Sequence, residues 1–493
     1  MSAAISHALG LSRNQRERLV SITMGTGLAL VSIFLGLTLA AVATLFQASV
    51  AVYIALPLAP LLALAVLAAP IVAPLGVFAT FPVGSTGAPV GAATLQSAEA
   101  AVVLVALMLI VRRLAMGQTP LAWSPVLFWP LGLMAWMLVS IFSALDETLA
   151  IKQLISIAGG VTFASVILAS CRGMRDLRVL LGGFVLSTTI LAVIALSSRS
   201  DFQQSSYSGS AVLKGRLQGA FDHPNQLGAL SAMAAPVAAG FLFGGRTRRT
   251  RTMAGVALGL ILAALALSLA RGAWLGAGVA ALFMLVTLRE ARRTLLLIGL
   301  PVVLVFVGLW SYFPKNESVQ VVTQRAESFT TLSPYDDRDS IWREARREIQ
   351  EDPWTGQGPG NFIISSARAG SEASTVAAFH AHNLFLNWAA ESGLPAAAII
   401  LLFAFALVNA GRVASRRSLA RGDPADRAIV IGVAGALLTV FFQGFVDYTL
   451  GNSVVHIALW GMIGALLLAS RDAGMGARPR GGRSPKVLRT SGD

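Results

Sequence analysis

The chain has 493 residues, 55% of them hydrophobic and only 13% charged, and its mean hydropathy is +0.70. That balance lies well outside the range of soluble domains and points to a fold built in a bilayer. The net charge of +14 sits in short basic runs between apolar segments, which argues for topology signals and against nucleic-acid binding. Cys171 is the only cysteine, so an internal disulfide and a cysteine-built metal site are both excluded.

In chain order, Arg13, Arg16 and Arg18 precede an apolar run with no prompt small-residue cleavage site, which reads as a retained first span. Residues 19–82 contain no Asp, Glu, Lys or Arg. Such stretches predict transmembrane helices, because helices or closed barrels alone satisfy backbone polar groups in lipid; period-2 alternation, the mark of a barrel, is absent. The basic runs 13–18, 112–113, 172–178, 246–251, 289–293, 412–427 and 471–489 are taken as cytoplasmic. Threading spans between them gives 22–46, 50–68, 70–83, 97–115, 124–144, 149–170, 176–197, 225–244, 252–269, 273–289, 293–313, 383–410, 428–446 and 453–470. The expected fold is thus an all-α polytopic membrane protein with about 12–14 spans and both termini inside. The third span is short and flanked by proline, and is either a crossing or a re-entrant piece.

Three places then face outward: 198–224, the tight turn around Arg271, and one large hydrophilic loop, 314–382. The chain divides into N-terminal spans 1–204, a span region 205–313 carrying external arginines, the loop 314–382, C-terminal spans 383–470 and a basic tail 471–493 expected to be disordered. Within the loop, Ile341, Trp342, Ala345 and Ile349 share one face of a predicted amphipathic helix over 338–351. Asp336 or Asp337 is its candidate cap, and Pro353 with Gly356-Gln357-Gly358-Pro359-Gly360 forms the turn that ends it.

Arg271 stands in Ser268-Leu269-Ala270-Arg271-Gly272 with almost no loop around it. An arginine near membrane depth is costly and calls for a partner. It is either an interfacial residue snorkelling to water or an anion clamp, since a guanidinium grips phosphate oxygens bidentately. Arg216, in a glycine-rich external segment that enters the next span at Pro224-Asn225, is either a surface residue or a second phosphate-binding arginine facing Arg271. His382 opens the span after the loop, where a histidine beside a water-filled cleft can serve as a general base near pH 7. His223 and Asp222 are weaker base candidates. A metal on His380 and His382 is disfavoured, because no carboxylate or third histidine lies nearby at ligand spacing. Glu391, inside the apolar helix, requires a polar partner such as an arginine from another helix. Walker, GxSxG and HExxH motifs are absent, and the spans lack the mid-membrane acids of a proton-coupled transporter. From the residues alone, this is a membrane protein with an external site suited to a phosphorylated lipid.

Gly215-Arg216…Phe221…Pro224-Asn225, Ser268…Arg271-Gly272, Arg338…Trp342…Pro353…Gly356…Gly358…Gly360…Phe362 and His382-Asn383…Glu391-Ser392-Gly393, in that order around one large loop, resemble the O-antigen ligase and O-antigen polymerase family over roughly 205–470. The resemblance implies a bacterial inner-membrane glycosyltransferase of the multi-span, C-type-like class, active on the periplasmic side. It implies an undecaprenyl-diphosphate-linked glycan as donor, a glycan or glycolipid acceptor, contact with membrane lipids, and no metal or other cofactor. It assigns the diphosphate to the positions of Arg216 and Arg271, with Arg338 as a further arginine, and activation of the acceptor hydroxyl to His382; Asn225, Asn383 and Glu391 are supporting residues. A lipid-linked oligosaccharide flippase would also need the arginines but not the histidine. A structural partner in polysaccharide export would leave Arg216, Arg271 and His382 without a joint purpose.

Overall fold

A computed structural model of the chain describes residues 63–85, 87–90, 93–197, 216–294, 338–368 and 380–471. Its helices are α1 (Val72–Phe78), α2 (Ser97–Ala115), α3 (Phe128–Ser140), α4 (Glu147–Ser170), α5 (Met174–Ser197), α6 (Pro224–Gly244), α7 (Arg248–Ser268), α8 (Arg271–Thr287), α9 (Arg289–Thr294), α10 (Arg338–Glu351), α11 (Phe362–Arg368), α12 (Leu384–Ala420), α13 (Pro424–Gln443) and α14 (Ser453–Arg471). One antiparallel hairpin, β1 (Gly87–Val90) with β2 (Ala93–Gln96), is the only sheet among the described residues. Among the described residues, eight segments are long and apolar enough to cross a bilayer: Pro125–Ser143, which contains α3, and α4, α5, α6, α7, α12, α13 and α14. The fold is an all-α polytopic membrane protein.

The helices begin where the sequence supplies caps. Asp146, Thr247, Asn383 and Asp423 each accept backbone N–H groups of the following turn, which satisfies donors that would otherwise be stranded at a helix start. Gln96 and Glu99 form a reciprocal capping box on α2. Helices α6 and α14 are enclosed along nearly their whole length, whereas α7 and most of α12 turn wide apolar faces outward. Phe142 is 94% exposed and Phe405 72%; such side chains are the lipid-solvated surface of a bilayer protein. Helix α6 packs on α7 and α13, α8 on α13, and α4 on α14. Glycine brings the backbones of α6 and α13 together: a Cβ at Gly432 would lie 2.6 Å from the Pro236 carbonyl oxygen, and one at Gly240 2.9 Å from that of Ala428.

The two ends of the bundle differ in charge. At one end Arg178 pairs with Asp426, Arg246 with Asp423, and Arg113 donates to the Ala169 carbonyl. At the other end the starts of α6, α8, α12 and α14 meet the turn after α13. The turn 352–361 is wedged there, with Leu145 N–H donating to the Gln357 carbonyl (3.3 Å) and Gln357 N–H to that of Ala390 (3.0 Å). Gly393 (φ 77, ψ 170) breaks α12 into a buried piece, 384–392, and a long outer piece, 394–420.

The predicted spans from 97–115 to 273–289, and the three C-terminal ones, coincide with helices. Helix α2 carries Glu99, Arg112 and Arg113, so its charge sets it apart from the eight. The segment 70–83 forms the seven-residue α1 and a 3-10 turn, too short to cross alone, packed against α2 and α5. The predicted span 22–46, most of 50–68 and of 293–313, the caps Asp336 and Asp337 and the tail 472–493 lie outside the described residues.

Candidate active site

Four segments remote in sequence converge on Asp447, in the turn between α13 and α14. Asp447 Oδ1 pairs with His382 Nδ1 at 3.0 Å and accepts the Tyr448 N–H at 2.9 Å. Its Oδ2 accepts from the Asn225 amide at 2.7 Å. Asn225 Oδ1 in turn accepts from the Arg216 guanidinium, whose Nε donates to the Ser268 carbonyl at 3.0 Å. Arg216, Asn225, Asp447 and His382 therefore form one continuous chain of hydrogen bonds, and Arg216 and Asp447 are themselves buried.

Local sequence explains each placement. His223 caps α6 by accepting the Asn225 N–H at its Nδ1 (3.1 Å), and Pro224 at the first helical position loses no needed donor. Leu269 takes a left-handed conformation (φ 52) that turns α7 directly into α8 and sets Arg271 as the first residue of α8. Behind it, a Cβ on Gly272 would meet Val446 at 3.0 Å and the Asp447 Cβ at 3.5 Å, so the start of α8 abuts the Asp447 turn. His382 is the other non-glycine residue with positive φ (47) among the described residues. The two strained positions flank this one site, as strained backbone tends to do where geometry must be held. Asn383 then caps α12 and donates from its Nδ2 to the Phe445 carbonyl at 2.9 Å, tying the His382 segment to the Asp447 turn.

The electrostatics follow from this packing. Burial opposes charge on Asp447, but the His382 hydrogen bond and the fields of His382, His380 and Arg338 hold its carboxyl far below the ordinary carboxylate range. An ionised carboxylate only accepts, so His382 carries its proton on Nδ1 and, when neutral, has a bare Nε2. Burial, with the neighbouring His382, brings His380 down to about 3; its ring lies 4.3 Å from that of His382. Burial and the Arg216 charge bring His223 down to about 4. The starts of α6, α8 and α12 border Asp447, and helix N-termini favour anions. With Arg216, Arg271 and Arg338, these dipoles make a locally positive surface on which a multiply charged anion can rest.

His380, His382 and Asp447 also offer one ligand atom each, all within 4.8 Å of one another. This corrects the expectation that no carboxylate stands near the two histidines: Asp447 arrives from 65 positions away. Its oxygens already accept from His382, Asn225 and Tyr448, and arginines surround it, so the donor set suits a hydrogen-bonded His–Asp pair better than a cation.

Arg216, Asn225, Arg338 and His382 are brought together around Asp447, and Arg271 opens the helix packed against it. Asn383 is a cap. Glu391 is buried and lies against the backbone of Gly360 and Phe362 and the Asn387 side chain; its hydrogen-bonding neighbours among the described residues are these groups, and not the arginine from another helix that the sequence suggested. Asp222 is exposed, and the Nδ1 of His223 is engaged as a cap, which leaves His382 the better-placed base. Asp447 was not foreseen, although it is the only carboxylate between Arg427 and Arg471, an isolated acid between two apolar runs.

Residues 256–401 match a family model described as O-antigen ligase. That stretch contains Arg271, Arg338, His382, Asn383 and Glu391, while Arg216, Asn225 and Asp447 join them through the fold. No curated protein matches the chain.

Proposed function

From the premise that the chain belongs, through residues 256–401, to the O-antigen ligase/polymerase family of glycosyltransferases, we propose that it moves a glycan from an undecaprenyl-diphosphate carrier to an acceptor hydroxyl. In this reading the site faces the periplasm, because the basic runs gather at the opposite end of the bundle and basic loops stay in the cytoplasm. The acceptor is a lipid A core sugar for a ligase or a second lipid-linked repeat unit for a polymerase.

The observation that carries the proposal is the hydrogen-bonded chain from Arg216 through Asn225 and Asp447 to His382. It couples an anion-binding guanidinium to an oriented base. His382 Nε2 takes the proton of the acceptor hydroxyl as its oxygen attacks the anomeric carbon. The bond from that carbon to the diphosphate oxygen breaks, and the leaving diphosphate keeps the electron pair. A single displacement of this kind inverts the anomeric centre. Arg216, Arg271 and Arg338 meet the growing negative charge, and Asp447 stabilises the imidazolium that forms on His382. Preorganised donors of this sort are each worth on the order of 10²–10³-fold in rate, and a positioned base roughly 10²–10⁴-fold. No step calls for a metal.

The test is release of free polyprenyl diphosphate by the purified protein, given an undecaprenyl-diphosphate glycan and a mixed acceptor extract, with and without EDTA. Acceptor-dependent release that survives EDTA and is lost in Arg271→Ala and His382→Ala supports the proposal, and the product identifies ligase or polymerase. Donor binding that is lost in Arg271→Ala, with no release under any acceptor, would favour a lipid-linked oligosaccharide flippase instead.

A further inference from the structure

Helix α10 places Arg338 at the site, so what seats that helix matters. Its inner face packs Ile341, Ala345 and Ile349 against Phe362, Ala381, Leu386 and Ala390. In the same face lies Glu348, only 1% exposed, whose carboxyl has the Ser365 hydroxyl as its neighbouring donor and no charged partner in contact with it among the described residues. The groups that face it are Glu344 and Arg347 of its own helix, Ser365 of α11 and Glu391 of α12. Arg347 is half-exposed and turned to Glu344 (2.8 Å) and Glu351 (3.5 Å). The Ser365 hydroxyl donates to the Asn361 and Phe362 carbonyls. A carboxylate buried here, near Glu344 and Glu391 and with one hydroxyl shared between it and two carbonyls, is strongly disfavoured, whereas a neutral carboxyl is tolerated.

We propose that Glu348 is a positioning residue: neutral when α10 is docked, it seats the helix on α11 and α12 and so holds Arg338 beside Asp447, and its ionisation loosens the helix. The proposal uses the glycosyl-transfer reading for the role of Arg338, while docking itself is independent of that reading. Burial pushes the Glu348 carboxyl up to about 8, with Glu344 and Glu391 adding to the rise. Because the docked value lies above the exposed one, docking is fully favoured below the ordinary carboxylate range. It weakens by about tenfold per pH unit until the pH reaches the docked value, and is level beyond it.

The experiment measures amide hydrogen exchange over 338–351 in the full-length protein from pH 5 to 9, corrected for intrinsic exchange. Wild type, Glu348→Gln and the apolar Glu348→Met are compared, with polyprenyl-diphosphate release followed in parallel. Protection that falls with pH in wild type and is flat in either variant supports the proposal. The variant should also lose the alkaline decline in kcat that wild type shows, with donor KM little changed. Protection independent of pH in wild type, or the same slope in both variants, overturns it. Absence of turnover in wild type counts against glycosyl transfer alone, since exchange still reads the docking step.

Discussion

His382 and Asp447 stand 65 positions apart and meet through one 3.0 Å hydrogen bond. Replacing Asp447 by Asn keeps the size but lets an amide face Nδ1, so the imidazole loses its fixed tautomer and the counter-charge for its protonated form. Asp447→Asn should lower kcat by on the order of 10²–10⁴-fold, with donor KM changed far less, read by steady-state release of polyprenyl diphosphate. The same substitution has a pH signature. A carboxyl depressed by folding contributes stability that is complete above its ordinary value of about 4 and is lost as the pH falls through the folded value. Thermal unfolding from pH 5 down to about 2 should therefore show a flatter acid limb in Asp447→Asn than in wild type; parallel limbs would remove Asp447 as a source of acid sensitivity. At this scale the arginines and His382 were legible in the sequence, because charged groups at the edges of apolar runs stand out. Asp447 was not, since its partners come from three other segments and no spacing along the chain announces them.

At the level of elements, the break in α12 decides how the His382 segment meets the rest. Gly393 has φ 77 and ψ 170, and a Cβ there would lie 1.8 Å from the Trp354 carbonyl oxygen. Leu394 N–H donates to the Pro353 carbonyl at 2.8 Å, and Trp136 Nε1 donates to the Ser392 carbonyl at 2.9 Å. The unwound residue is thus stitched to the loop turn and to α3. Gly393→Ala cannot take this backbone without strain, which alone costs about 1–3 kcal/mol, and the clash adds to it. The variant should unfold at lower temperature and lose activity together, while Gly278→Ala, on α8 with open space around its Cα, should change neither. Hydropathy foretold a single helix over 383–410, because an apolar run hides a bend. The boundaries of α10 and the turn after it were read correctly from amphipathic spacing and the Pro and Gly residues that follow.

Across the whole molecule, the alternation of basic runs with apolar segments marked out the described apolar helices from α2 to α14, because charge is kept to the ends of apolar helices, whereas 70–83 folds as a short helix and turn instead of a span. The ion pairs at the end opposite the site make that constraint physical. Arg178 Nε donates to Asp426 Oδ1 at 3.0 Å, and Asp426 is 6% exposed. Asp426→Asn should lower stability by roughly 1–3 kcal/mol, since a partly buried guanidinium loses its counter-charge, yet leave turnover per folded molecule unchanged. A loss of turnover without a loss of stability would mean that the two ends of the bundle are coupled. The interruption at Gly393 has a mechanical consequence of its own. The outer piece of α12 is apolar over 394–411, roughly 27 Å at 1.5 Å per residue and close to the hydrocarbon thickness of about 30 Å, before Arg412, Arg416 and Arg417 carry it into the basic end. Because the residues on either side of Gly393 are bonded to the loop turn and to α3, that span and the His382 segment are held at one fixed angle, and a bilayer that tilts the span displaces the His382 segment with it. Turnover in vesicles of increasing acyl-chain length should accordingly fall as the tilt of 394–411, followed by spin labels, changes; level turnover would mean that the break uncouples the two pieces.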